Sequence, residues 1–152
     1  MAAVTGFFHA GVTVRDMDAA LRFYRDGLGL ELLSRSRADA PESWRIWGLE
    51  AGESAEVAFL RVPGTRALIE LFAFSGIERH TVSARPCDPA FGHFCLFTDD
   101  AEGLRARAIA AGGGARSEVQ TIAAGPLGGS KVVYVLDPDG YSVELIERPP
   151  RD

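Results

Sequence analysis

Two histidines and two glutamates stand at matching places along this 152-residue chain: His9 and His93, Glu70 and Glu144. Each histidine lies in an apolar run, 7–14 or 91–98, and an aspartate follows seven residues later, Asp16 or Asp100. Each glutamate sits between aliphatic neighbours, Ile69 and Leu71 or Val143 and Leu145. Buried there as a lone ion, a carboxylate costs several kcal/mol, so it must be protonated, paired or bound to a cation. Taken singly, a strand histidine is more often an ordinary hydrogen-bonding residue, and a strand glutamate an edge charge facing water. Their joint recurrence in one order changes the reading. Two imidazoles and two carboxylates form a mixed nitrogen and oxygen donor set for one divalent ion: Ni, Co, Mn or Fe in an octahedron, or Zn with expanded coordination. Such a set leaves octahedral positions open for a bidentate substrate or for water. His80, the third histidine, has no counterpart in the other half and is read as surface.

The elements that must carry these residues are written twice. The run 7–14 reads as a strand, followed by a helix from Ala19 to about Asp26 with Asp18 as its N-cap. Leu21, Tyr24 and Leu28 share one helical face, and Gly27 and Gly29 mark its end. Three strand candidates follow at about 30–35, 55–62 and 66–74, the last two joined by Pro63-Gly64-Thr65. The second half repeats the order: a strand over 91–98, a helix over 101–111 stopped by Gly112-Gly113-Gly114, then strands at about 115–121, 131–136 and 141–147. Asp137-Pro138-Asp139-Gly140 supplies the last turn. The expectation is an α+β fold of two tandem βαβββ modules within one domain, 1–152: module one about 6–74, a linker over 75–90, and module two about 91–148.

Alternation along the first strand puts Phe8, Ala10, Val12 and Val14 on a face that the helix can cover, and His9, Gly11 and Thr13 on the other. Glu70 shares its face with Leu68, Phe72 and Phe74. Trp44 and Trp47, three apart, read as one face of a short helix packed on the core or as part of a ligand wall. The loop Gly125–Ser130 reads either as a plain connector or as a lid, with Lys131 placed to meet an anionic group.

Composition excludes several classes. A net charge of −5 gives no electrostatic footprint for nucleic acid. No apolar run approaches the roughly 20 residues that span a bilayer, and the first residues lack the pattern of a signal peptide. A cytoplasmic protein is expected, with Cys87 and Cys95 as free thiols.

These residues resemble the vicinal oxygen chelate superfamily, which includes glyoxalase I, methylmalonyl-CoA epimerase, extradiol dioxygenases and bleomycin-resistance proteins. The resemblance runs from about Phe7 to Arg148. It is carried by His9 with Val12-Thr13-Val14-Arg15-Asp16, by Phe23-Tyr24-Arg25-Asp26-Gly27-Leu28-Gly29, by Ile69-Glu70-Leu71, by Gly92-His93, and by Asp137-Pro138-Asp139-Gly140-Tyr141-Ser142-Val143-Glu144-Leu145. It implies a cupped mixed sheet around the metal, a small-molecule substrate and a homodimer. His9, Glu70, His93 and Glu144 match the ligand order of bacterial glyoxalase I, whereas the epimerase has Gln where this chain has Glu70. The implied activity is that of a metal-dependent lyase or isomerase moving a proton beside a carbonyl, with Glu144 or Glu70 as base and Glu144 favoured. Two departures argue against strict dependence on glutathione. Thr13 stands where bacterial glyoxalase I has an Arg, and Phe74 where it has an Asn. Thr13, Trp44, Trp47, Phe72, Phe74 and Lys131 are the expected pocket residues. The alternatives are an epimerase, an enzyme of the extradiol dioxygenase kind, or a non-catalytic drug-binding resistance protein.

Overall fold

The computed structural model describes residues 1–50, 52–80 and 84–150. The expected linker 75–90 therefore includes 81–83, which lie outside the described residues. The chain folds into two compact units, one of residues 1–17 and 29–79, the other of 18–28 and 80–152.

The first unit is a mixed four-stranded sheet. Its strands are β1 (His9–Val14), β2 (Glu31–Arg37), β3 (Ser54–Arg61) and β4 (Leu68–Ser75), in the order β1-β4-β3-β2. β1 runs parallel to β4, and the other neighbours are antiparallel. The β3–β4 turn forms at Pro63-Gly64-Thr65 as the sequence requires. Gly64 takes the left-handed conformation (φ 71°), and Thr65 N donates to Val62 O at 3.1 Å. Strand alternation makes one face apolar and closed: Val12, Ile69, Leu71, Ala58 and Leu60 are all buried. The opposite face carries His9 and Glu70. A short helix, α2 (Pro41–Trp47), lays Trp44 and Trp47 against Phe72 and Phe74 on that same face.

The second unit repeats the plan with β5 (His93–Thr98), β8 (Lys131–Leu136) and β9 (Ser142–Glu147), again with a parallel pair, β5·β9, beside an antiparallel one, β8·β9. The single strand expected over 115–121 is instead two fragments, β6 (Gly114–Ala115) and β7 (Gln120–Thr121), both paired to β8. Helix α3 (Ala101–Ala110) begins where Asp100 accepts a hydrogen bond from Gly103 N at 2.9 Å. It packs on β8 and β9 over Val133, Val143 and Leu145, all fully buried.

The first helix departs from expectation in extent and in company. α1 (Met17–Leu21) starts before Asp18, which falls in its first turn, and continues as a wider π-helical stretch over Arg22–Gly27. Leu21, Tyr24 and Leu28 are buried as their spacing implies. Residues 18–28 cluster with the second unit. The Tyr24 hydroxyl donates to Asp137 Oδ2 at 2.9 Å, and Gly27 lies so near Ala111 that a Cβ would stand 2.8 Å from the alanine methyl.

Asp137 explains the turn motif it opens. Its buried carboxylate accepts from Asp139 N at 2.9 Å and Tyr141 N at 2.8 Å, besides the tyrosine hydroxyl. Burial raises its pKa above the usual carboxylate range even so, and raises that of Tyr24 well above 10. No helix among the described residues is long and apolar enough to cross a membrane.

Candidate metal centre

The two histidine–glutamate pairs are built by one strand register used twice. In the first unit Gly11 is the strand partner of Glu70, and His9 lies two residues before Gly11 on the same face. In the second, Cys95 is the partner of Glu144, and His93 lies two residues before Cys95. His9 Nε2 is 2.8 Å from Glu70 Oε2, and His93 Nε2 is 3.3 Å from Glu144 Oε2. Both histidine side chains are about a third exposed, at 31% and 36%, so each pair opens to solvent rather than closing into the core.

The surroundings of the two pairs differ. Glu70 is flanked in register by Gly11 and Phe59, and Phe59 and Phe8 pack edge-on against the His9 ring. Burial raises the Glu70 pKa above the usual value, partly offset by His9. His9 Nδ1 is buried with no hydrogen-bond partner among the described residues. Glu144 is flanked instead by Cys95 and Tyr134. The Tyr134 hydroxyl is 3.4 Å from His93 Nε2, and burial followed by the Glu144 charge raises its pKa. The same two causes push the Cys95 thiol up to about 12. Tyr134 and Cys95 escaped the sequence reading. The signal for Tyr134 was the hairpin turn, which fixes the residue facing Glu144 once the β8–β9 ladder is counted back from it, whereas Cys95 faces Glu144 through the parallel β5·β9 pairing, which no turn sets.

Each pair offers one imidazole nitrogen and one carboxylate oxygen on a half-open surface, which fits part of the coordination shell of a first-row divalent ion. Among the described residues no three His, Cys, Asp or Glu side chains are grouped to hold an ion, so the donors stand as pairs.

Most of the expected pocket residues flank the first pair. Thr13 is the strand partner of Phe72, and Phe72 and Phe74 extend from Glu70 along β4 with their rings nearly parallel, 6.1 Å apart. Trp47 meets both phenylalanines edge-on at 5.8 and 5.1 Å, and the buried Trp44 backs Phe74. Lys131 is placed differently. It pairs in register with Glu147, three residues from Glu144, and so lies on the opposite face of its sheet, where its ammonium binds Glu147 at 2.8 Å. Glu147 also caps α3 through Ala101 N at 2.9 Å. The loop Gly125–Ser130 is tied by bonds from Gly128 N to Gly125 O, Gly129 N to Ile122 O and Ser130 N to Leu127 O, which is the arrangement of a connector.

Residues 6–145 match the Glyoxalase/Bleomycin resistance protein/Dioxygenase superfamily. The chain is 35% identical over 144 residues to a lactoylglutathione lyase of Haemophilus influenzae, covering 91% of this chain and 90% of that one. It is 30% identical to a 2-epi-5-epi-valiolone epimerase of an Actinomyces species, covering 93% and 78% of the two chains. Glyoxalase I from Zea mays superposes with a TM-score of 0.68 at 28% identity, over 94% of this chain and 44% of the maize chain. With the family match spanning most of its length, the chain belongs to the glyoxalase/bleomycin resistance/dioxygenase superfamily.

Proposed function

We propose that this protein is a divalent-metal-dependent lyase or isomerase of the glyoxalase I kind, acting as a homodimer on a small substrate by moving a proton next to a carbonyl. The observation that carries the reading is the repeated register: each histidine stands two residues before the strand partner of its glutamate. A structural ion pair would not need that offset twice. His9 with Glu70, and His93 with Glu144, are the proposed metal ligands.

A bound divalent ion supplies positive charge that polarises vicinal oxygens of the substrate. Glu144 accepts the proton from the carbon beside the carbonyl on one carboxylate oxygen, where it exchanges with solvent, and a proton returns from that oxygen to the same carbon or to its neighbour. Tyr134, across the ladder from Glu144 and 3.4 Å from His93 Nε2, orients the pair. Phe72, Phe74 and Trp47 give the substrate an apolar wall beside Glu70. That wall, with Thr13 and Phe74 where bacterial glyoxalase I has Arg and Asn, favours an apolar or aromatic substrate over a strictly glutathione-bound one. The similarity to an epimerase, at 30% identity, supports the same proton chemistry on a different skeleton.

The test is deuterium incorporation in D2O by the metal-supplemented protein, followed by proton NMR. The substrates are hemithioacetals, α-hydroxy ketones and thioesters, tried in turn. Metal-dependent exchange at the carbon beside the carbonyl, lost in E144Q, is expected. Binding without exchange for every class would favour a sequestering protein instead.

A further inference from the structure

We infer that Arg116 is a specificity residue for an anionic substrate group, a carboxylate above all, held beside the His93–Glu144 pair. The inference deepens the proposed function and takes its biological meaning from that reading.

Arg116 is placed by three contacts within the second unit, two of them made by its guanidinium. Its Nε donates to Ser142 Oγ at 3.0 Å, and Ser142 is the buried strand partner of His93. Its Cζ lies 5.3 Å from the centroid of the Phe91 ring, and the Phe91 ring is 6.0 Å from that of His93. Its backbone N donates to Tyr134 O at 2.9 Å, which ties the chain segment to the strand facing Glu144. Guanidinium, Phe91 ring and imidazole therefore form one row at the end of the pair.

What the guanidinium lacks is an anion. Arg25, Arg35, Arg37, Arg61, Arg85 and Arg105 each bind a carboxylate, and Arg116 is set apart from the remaining arginines by its bond to a buried serine beside His93. No carboxylate pairs with Arg116 among the described residues. The Ser142 bond takes the Nε hydrogen and leaves both Nη groups, the fork that matches a carboxylate bidentately. The Phe91 ring, 5.3 Å from Cζ, attracts the guanidinium through its π face and helps hold it in place. A surface arginine with no task would not need a buried serine to hold its Nε. A neutral substrate would leave the fork unused.

The test uses the full chain, isotopically labelled with 15N and kept in EDTA, titrated with benzoate and with its uncharged isostere benzamide. Chemical shifts of the Arg116 Nε and of the Arg116 and Tyr134 amides report binding. Benzoate should bind about tenfold more tightly than benzamide, the scale of a charge-assisted pair. R116Q should bind the two alike, and R116K should keep only part of the preference because an ammonium lacks the fork. S142A, which frees the guanidinium without removing its charge, should also weaken the preference. Equal binding of the two ligands by the wild type, or a preference undiminished in R116Q, overturns the inference. Because no metal takes part, that failure would leave the metal reading untouched, while loss of metal binding elsewhere would leave this result standing.

Discussion

Tyr134 is the β8 strand partner of Glu144, and its hydroxyl reaches to 3.4 Å from the nitrogen that His93 turns toward that glutamate. The equivalent position beside Glu70 holds Phe59, which has no polar atom to offer. The repeat thus supplies two similar donor pairs with unequal support. The hydroxyl also hydrogen-bonds Glu144, so removing it in Y134F should lower affinity for a divalent ion by about tenfold, as loss of an outer-shell partner of a ligating carboxylate does. Metal titration followed by calorimetry checks this, and an affinity equal to wild type would assign the hydroxyl no part in the site.

The two glutamates should respond differently to the same substitution. E144Q should keep its metal while turnover falls about 10²- to 10⁴-fold, the range associated with losing a general base. E70Q should keep more activity, in line with the glutamine that the methylmalonyl-CoA epimerase pattern has at the place of Glu70. Metal content and turnover measured on the same preparations decide the matter, and the reverse ranking would make Glu70 the base.

Asp137 gives stability a pH dependence of known sign. Burial raises its pKa above 3.8 in the folded chain. A carboxyl with a higher folded than unfolded pKa favours folding while protonated. Its contribution is full below the unfolded value and is lost as pH rises through the folded one. D137N cannot ionise, so its stability relative to wild type should increase as pH rises from about 4 toward neutrality. Urea denaturation at several pH values tests this, and a stability of D137N relative to wild type that stays flat or falls as pH rises would contradict it. Tyr24 acts at the other end of the scale: its pKa is raised above 10, so its contribution holds below that value and is lost at higher pH.

Glycine is required at 113 for packing. A Cβ there would stand 2.4 Å from Phe23 Cε2 and 2.5 Å from the carbonyl oxygen of Leu136. G113A should cost about 3 kcal/mol, the upper end of ordinary overpacking. At Gly114, next along the chain, the nearest atom to a Cβ is 3.8 Å away, so G114A should cost far less. Chemical denaturation of both variants makes the comparison, and equal stabilities would show that the Phe23 contact yields easily.

The order of elements was legible because turn chemistry marks each boundary: Pro63-Gly64-Thr65, the glycines at 112–114, and Asp137 to Gly140 all lie where strands or helices end. The His and Glu positions were legible because the repeat shows them twice. Strand pairing across distant segments was not, so Cys95 opposite Glu144 and Arg116 beside Ser142 went unseen. The face that Lys131 occupies follows from the β8–β9 hairpin, whose ladder pairs it with Glu147 and so sets it opposite the face of Glu144. The company kept by residues 18–28 depends on Tyr24 meeting Asp137 across 113 positions, a contact that no local pattern encodes.

The central claim is that two histidine–glutamate pairs bind a divalent ion. Elemental analysis of protein purified without chelator, wild type beside H93A, tests it most directly. A near-stoichiometric divalent metal in the wild type and its loss in the variant are expected. Metal absent from both, with added Ni, Co, Zn, Mn and Fe each failing to bind the wild type, would contradict it.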